Sequence, residues 1–210
     1  MDRPFDDATR RDIAARCADF ERLPAGEPAP SLKRAAVVIA LVAAAAGPDA
    51  TAWLLTLRAR GLRAHGGQWA LPGGRCDEVE TPVAAALREL HEELGLELGA
   101  GDVLGMLDDY PTRSGYLITP VVVWAAASAG ISPNPDEVAS VHRMALADIE
   151  RPDAFDFVAI PESDRRVIRF RHVGQFIHAP TAALIYQFRE MLAGRATRVA
   201  ELEQPVFAWK

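Results

Sequence analysis

One stretch constrains this chain more than any other. It runs from Gly74 to Leu96 and reads GRCDEVETPVAAALRELHEELGL. Its second half has the marks of an amphipathic helix with defined ends. Thr81 offers an N-cap oxygen, and Pro82 stands at the first helical position, where a missing N–H is harmless. Gly95 stands where a left-handed C-terminal cap is wanted. Val83, Leu87, Leu90 and Leu94 make one apolar stripe that can anchor the helix in a core. Glu89, Glu92 and Glu93 are three and four residues apart, so their carboxylates lie one above another on a second face.

Three close carboxylates repel one another unless a cation sits between them. Hard divalent cations such as Mg²⁺ or Mn²⁺ want oxygen ligands, and Mg²⁺ often acts together with substrate phosphates. Arg88, four residues before Glu92, can orient one carboxylate. Taken alone, RELHEELG also fits a solvated, charged helix surface. The residues around it decide between these readings.

Before the helix, Ala35–Val42 and Thr51–Leu57 read as strands joined through a turn at Gly47-Pro48-Asp49, hence a hairpin. A short strand is expected at Gln68–Leu71. After the helix, strands are expected at Val103–Leu107 and Leu117–Ala126. A strand and a short helix fall within Asp136–Ile149, and strand pieces at Arg165–Phe170 and Gln175–Ile177. A last helix runs from about Pro180 to Ala193 and stops at Gly194. An amphipathic helix with Ile13, Cys17 and Phe20 on one side spans Asp6–Leu23, and the Pro-rich PAGEPAPS that follows cannot continue it. This helix is either packed on the main domain or a dimer contact. The order implies an α+β fold, a mixed β-sheet sandwiched between helices. Three regions are expected: 1–33 as helix and linker, 34–194 as the main domain, and 195–210 as a tail.

Composition removes several classes. Half of the 210 residues are hydrophobic and a quarter charged, which is enough for a real core and excludes general disorder. Net charge is −6, so generic nucleic-acid binding is disfavoured. The longest apolar run, Ala35 to Ala46, is too short to span a bilayer, and no secretory signal is expected at the N-terminus. Cys17 and Cys76 lack metal or disulfide spacing and read as reduced thiols of a cytoplasmic protein. Against the acidic balance, no Asp or Glu lies between Ala50 and Cys76, while Arg58, Arg60, Arg63 and Arg75 do. That is a local anion-binding patch, and Gly66, Gly67, Gly73 and Gly74 permit close backbone approach. Trp69 and Leu71 read as core residues.

The long stretch resembles the Nudix box: Gly74, Glu80, then Arg88-Glu89-Leu90, Glu92-Glu93 and Gly95-Leu96, with no fixed position departing. By chance such a match arises on the order of 10⁻⁹ times per starting position. The resemblance implies a hydrolase that holds divalent metal, Mg²⁺ or Mn²⁺, against a diphosphate while water attacks phosphorus. It implies catalytic roles for Glu89, Glu92, Glu93 and Arg88, and metal ligation by Glu89, Glu92, Glu93 and a carbonyl at Gly74 or its neighbour. Glu80 and Glu137 would support the site. On this reading Glu93→Gln removes a ligand at a surface cleft, and folding is expected to be nearly unchanged.

The preceding residues also resemble the coenzyme A pyrophosphatase branch of that family. Leu54-Leu55-Thr56, Arg58, Leu62-Arg63, His65, Gly67 and Pro72-Gly73-Gly74 match its extra motif. Ala59 and Leu71 depart from it, where Ser and Phe are usual. The branch implies cleavage of coenzyme A or its thioesters to phosphopantetheine, or its acyl form, and adenosine 3′,5′-bisphosphate. Arg58, Arg63, His65, Gly67, Gly73 and Arg113 are then the expected substrate-binding residues. The partner is a nucleotide-like small molecule, not nucleic acid or membrane, with a homodimer also open. Another Nudix substrate, such as ADP-ribose, a dinucleotide or an oxidised nucleotide, is the alternative, followed by a nucleotide sensor without turnover.

Overall fold

A computed structural model describes residues 3–23, 32–62, 65–126 and 130–208. The first helix, α1 (Asp7–Asp19), starts at Asp6, whose carboxylate accepts the Thr9 N–H. Strands β1 (Lys33–Ala44) and β2 (Gly47–Arg58) form the expected antiparallel hairpin. The turn, however, is Ala45-Ala46. Gly47, at φ +125, takes the backbone conformation that other residues resist, so Pro48 and Asp49 already belong to β2. Next come β3 (Trp69–Ala70), β4 (Gly73–Arg75) and helix α2 (Pro82–Leu94). After them follow β5 (Val103–Met106), β6 (Tyr110–Pro111), β7 (Tyr116–Trp124), β8 (Val138–Ala145) and the short α3 (Leu146–Glu150). The chain then builds β9 (Phe155–Ile160), β10 (Ser163–His172), β11 (Gln175–His178) and α4 (Thr181–Leu192).

β1 to β8 form one mixed sheet in which β1 runs parallel to β7 and antiparallel to β2 and β4. β1 and β2 are long apolar runs because both their faces are covered. Ala36, Val38, Ala40, Ala52 and Leu54 face α2, meeting Ala85, Ala86, Leu90 and Leu94. Ile39, Leu41, Trp53 and Leu55 face the other way, towards α1, α4 and the strands β9–β11. Those three strands form a second antiparallel sheet, of which the sequence signalled β10 and β11 but not β9. The α+β arrangement of a mixed sheet between helices is thus observed, with a small sheet added to one face.

Two local differences have physical causes. On α2, Val83 and Leu87 are only half-buried, whereas Ala85, Ala86 and Glu93 are buried. Alanines let the helix approach β1 closely, which rotates the buried face towards Glu93. Helix α1 stops at Asp19 rather than running to Leu23. Beyond it the Leu23 N–H is taken by Asp108 and Arg22 Nε by the Leu107 carbonyl, so tertiary partners replace helical ones. Ile13, Cys17 and Phe20 of α1 are buried within this chain. Helix α1 lies so close to β5 that a Cβ on Gly105 would stand 2.7 Å from that of Cys17. No described helix is long and apolar enough to cross a membrane.

Candidate active site

The site begins with α2. Thr81 accepts the Ala84 N–H, Pro82 opens the helix and Gly95 closes it at φ +69. Leu90 and Leu94 are fully buried, and burying such a side chain stabilises by about 1.5–3 kcal/mol. Like charges four apart on a helix cost only about 0.2–0.5 kcal/mol. The apolar anchoring therefore wins, and the glutamates are held where the core puts them.

They are held in three different environments. Glu93 is 3% exposed. One of its oxygens accepts the Gly73 N–H at 3.1 Å, and the other faces Arg58 Nη1 at 3.5 Å. Burial pushes its carboxyl up from the ordinary 4.5 to about 7, against the Gly73 N–H and the Arg58 charge, with Glu89 and Glu137 adding to the rise. Glu89 is half-buried and also raised, again first by burial. Glu92 is exposed. The solvated-surface reading of the helix thus fits Glu92 but not its two companions.

Arg88 ties the carboxylates together. Its Nε and Nη2 grip both oxygens of Glu80 at 3.0 and 3.1 Å, and its Nη1 reaches Glu89 at 2.9 Å and Glu92 at 3.0 Å. Nη2 also donates to the Arg75 carbonyl. Glu80 accepts the Asp77 N–H as well, and the Arg88 contact first of all holds its carboxyl below the usual range. The sequence signalled Arg88 and Glu80 but not their bonds to the backbone at Arg75 and Asp77, because main-chain groups leave no residue-specific mark.

β4 supplies the opposite wall. A Cβ on Gly74 would stand 2.3 Å from Glu89 Oε1, so only glycine lets this carboxylate meet the strand. Gly73, at φ +147, gives its N–H to Glu93. Glu137 lies just before β8, where its carbonyl accepts the Ala59 N–H. Its charge reaches both Glu89 and Glu93.

The other sequence-expected residues are more scattered. Arg58 ends β2 and is engaged with Glu93. Gly67, at φ +72, donates its N–H to the Arg58 carbonyl and closes the β2–β3 connection. His65, at φ +58, is exposed, and its Nδ1 lies 3.1 Å from Gln68 Oε1. Arg113 is clasped by Glu203 through Nε and Nη2, and its N–H donates to Gln204. Any contact of Arg113 with a substrate has to compete with that pair. Arg63 lies outside the described residues. Leu71 is buried as expected, but Trp69 is only half-buried, its ring edge-to-face with both His142 and His172.

The donor set suits a hard divalent ion: oxygen atoms only, a buried carboxylate whose nearest cation among the described residues is at 3.5 Å, and a wall without a side chain. Glu89, Glu92 and Glu93 are the residues that would hold it. Among the described residues no three such ligands already converge; Glu89 and Glu92 share Arg88 Nη1 instead.

Comparison with known proteins identifies the family. The NUDIX domain profile matches residues 32–162, well over half of the chain. The chain is a member of the Nudix hydrolase family. It is 34% identical over 176 residues to a protein of Pectobacterium atrosepticum named uncharacterized Nudix hydrolase NudL, covering 82% of this chain and 89% of that one. A protein of the same name from Photorhabdus laumondii is 31% identical over 142 residues, 66% of this chain and 76% of that one. A crystal structure of a MutT/nudix family protein from Enterococcus faecalis shares the fold. It has a TM-score of 0.50 and 20% identity, covering 90% of this chain and 73% of that one. Nudix hydrolases act on pyrophosphate bonds. The Nudix profile ends before β10, β11 and α4, so the second sheet is largely outside it.

Proposed function

We propose that this Nudix hydrolase cleaves the diphosphate of coenzyme A or its thioesters, giving (acyl-)phosphopantetheine and adenosine 3′,5′-bisphosphate. The observation that carries the reading is the acid-free, Arg- and Gly-rich segment from Ala50 to Cys76. It resembles the coenzyme A pyrophosphatase motif, departing at Ala59 and Leu71, and leads directly into the Gly73-Gly74 wall of the glutamate site. The reading includes Mg²⁺ or Mn²⁺ as cofactor, a nucleotide-like small molecule as partner, and a cytoplasmic setting in which Cys17 and Cys76 stay thiols.

A divalent ion held by Glu89, Glu92 and Glu93 would neutralise the diphosphate and lower the pKa of the attacking water, easing its deprotonation to a nucleophile. The chain's own residues do the rest. Glu93 is a deeply buried acceptor fixed by the Gly73 N–H. Arg88 holds Glu80, Glu89 and Glu92 in fixed relation, so little reorganisation is needed when charge builds up at phosphorus. Gly74 brings backbone against the carboxylates. A box carboxylate accepts the proton of the attacking water. The P–O bond that forms replaces the P–O bond to the bridging oxygen, and two phosphate monoesters leave.

Product analysis after incubation with coenzyme A and Mg²⁺ or Mn²⁺, with ADP-ribose as comparator, tests the proposal. Adenosine 3′,5′-bisphosphate together with phosphopantetheine is the expected result. Cleavage of ADP-ribose alone would retain the Nudix reaction and discard the coenzyme A assignment.

A further inference from the structure

We propose that Lys33, Arg75 and Tyr116 form a subsite for a second anionic group of the substrate, of the phosphate-monoester class, lying away from the diphosphate. The inference rests on the reading above and names what makes the site selective.

β4 divides the two anion positions. Neighbouring residues of a strand point to opposite faces. Gly74 faces α2 and Glu89. Arg75 therefore points to the other face, where its guanidinium carbon lies 5.3 Å from the Tyr116 ring centroid. In the parallel β1–β7 ladder Lys33 stands opposite Tyr116, and Ala35 stands opposite both Ile118 and Arg75. Lys33, Arg75 and Tyr116 thus share one corner at the start of β1 and β7, one residue along the chain from the glutamate wall. Arg34, next to Lys33, belongs to the α2 side, where its charge acts on Cys76.

The corner has charge to offer. Arg58, Arg88 and Arg113 are each committed to a carboxylate. Lys33 and Arg75 are exposed and have no acidic partner within ion-pair distance among the described residues. Two such cations on one face of neighbouring strands, in a chain of net charge −6, make a local positive patch that attracts an anion. Arg75 is also fixed relative to the catalytic residues. Its backbone pairs with Ala35, and its carbonyl accepts Arg88 Nη2 at 3.0 Å. The Tyr116 ring lies within cation–π distance of the guanidinium, whose N–H groups suit a bidentate phosphate contact, while Lys33 adds a point charge. Because Arg75 faces away from Glu89, it serves a phosphate beyond the scissile diphosphate. It therefore distinguishes substrates rather than placing the reacting phosphorus.

The test is binding measured by calorimetry in EDTA, with adenosine 3′,5′-bisphosphate and AMP as probes. They differ by one phosphate monoester. The wild-type protein is expected to bind the bisphosphate about ten- to a hundredfold more tightly, as charge-assisted contacts imply. Lys33→Ala/Arg75→Ala is expected to bring that ratio close to one. Both side chains are exposed, so folding should be retained, and a melting curve checks it. Arg171→Ala, an exposed charge on the second sheet, should keep the ratio. Equal binding of the two probes by the wild type, or an equal fall of the ratio in Arg171→Ala, overturns the subsite. Coenzyme A turnover is read separately. A subsite without coenzyme A cleavage sinks the function and keeps the subsite, whereas coenzyme A cleavage with an unaltered ratio in the double variant does the reverse.

Discussion

Glu93→Gln should stabilise the metal-free protein at alkaline pH while abolishing most of its activity. The sequence places this residue at a surface cleft, where substitution leaves folding nearly unchanged. The structure buries it to 3% exposure. Its carboxyl is raised from 4.5 in the unfolded chain to about 7 in the folded one. A raised carboxyl favours the fold fully below pH 4.5. That advantage is lost as pH rises from 4.5 through about 7, because the unfolded chain ionises first. At about 1.36 kcal/mol per pH unit, the loss amounts to about 3 kcal/mol. Glutamine has nearly the same shape, keeps an acceptor for the Gly73 N–H and carries no charge. It gives up the charged contact to Arg58, whose effect is already contained in the value of about 7. The net gain at pH 8 is therefore about 3 kcal/mol, or about 6–12 °C in Tm for a chain of this size. At pH 5, where folded Glu93 is protonated and the unfolded carboxyl has only begun to gain from ionising, the gap should shrink to under about 1 kcal/mol. Differential scanning calorimetry in EDTA at pH 5, 6.5 and 8 measures the gap. A variant that is less stable at pH 8, or a gap independent of pH, would show that the carboxylate is not under the strain deduced from its burial. Adding Mg²⁺ at pH 8 should raise Tm of the wild type alone, because the variant lacks the ligand. Turnover should fall by on the order of 10².

Four further substitutions separate the site from the scaffold. Arg88→Ala frees Glu80, Glu89 and Glu92 at once, so kcat/KM should fall by on the order of 10²; Arg88→Lys should recover little, since one ammonium cannot reproduce the fork. Gly74→Ala puts a Cβ 2.3 Å from Glu89 Oε1, and steady-state kinetics should show a loss of about tenfold or more, with a small drop in melting temperature. Gly105→Ala, by contrast, presses on Cys17 and should lower stability by about 1–3 kcal/mol in urea unfolding without altering kcat/KM.

Local chemistry made α2 legible in advance. Thr81, Pro82 and Gly95 act within a few residues of themselves, and the spacing of Glu80, Arg88, Glu89, Glu92 and Glu93 follows from helical geometry. The hairpin of β1 and β2 and the last helix were readable for the same reason. What the sequence could not carry depends on partners far along the chain. β9 is ordered by pairing with β10, so the second sheet escaped a reading based on local pattern. Arg113 looked available for substrate until the tail brought Glu203, 90 residues later, onto its guanidinium. Glu89, Glu92 and Glu93 are equivalent letters in one motif, and their spacing alone identified them as a cation site. Only the packing of α2 on β1, with Gly73 and Arg58 closing over one end, made Glu93 a buried acid near pH 7 and left Glu92 in water. Residue order determines which groups share a helix face; desolvation, which sets their charge, is a property of everything that packs around that face.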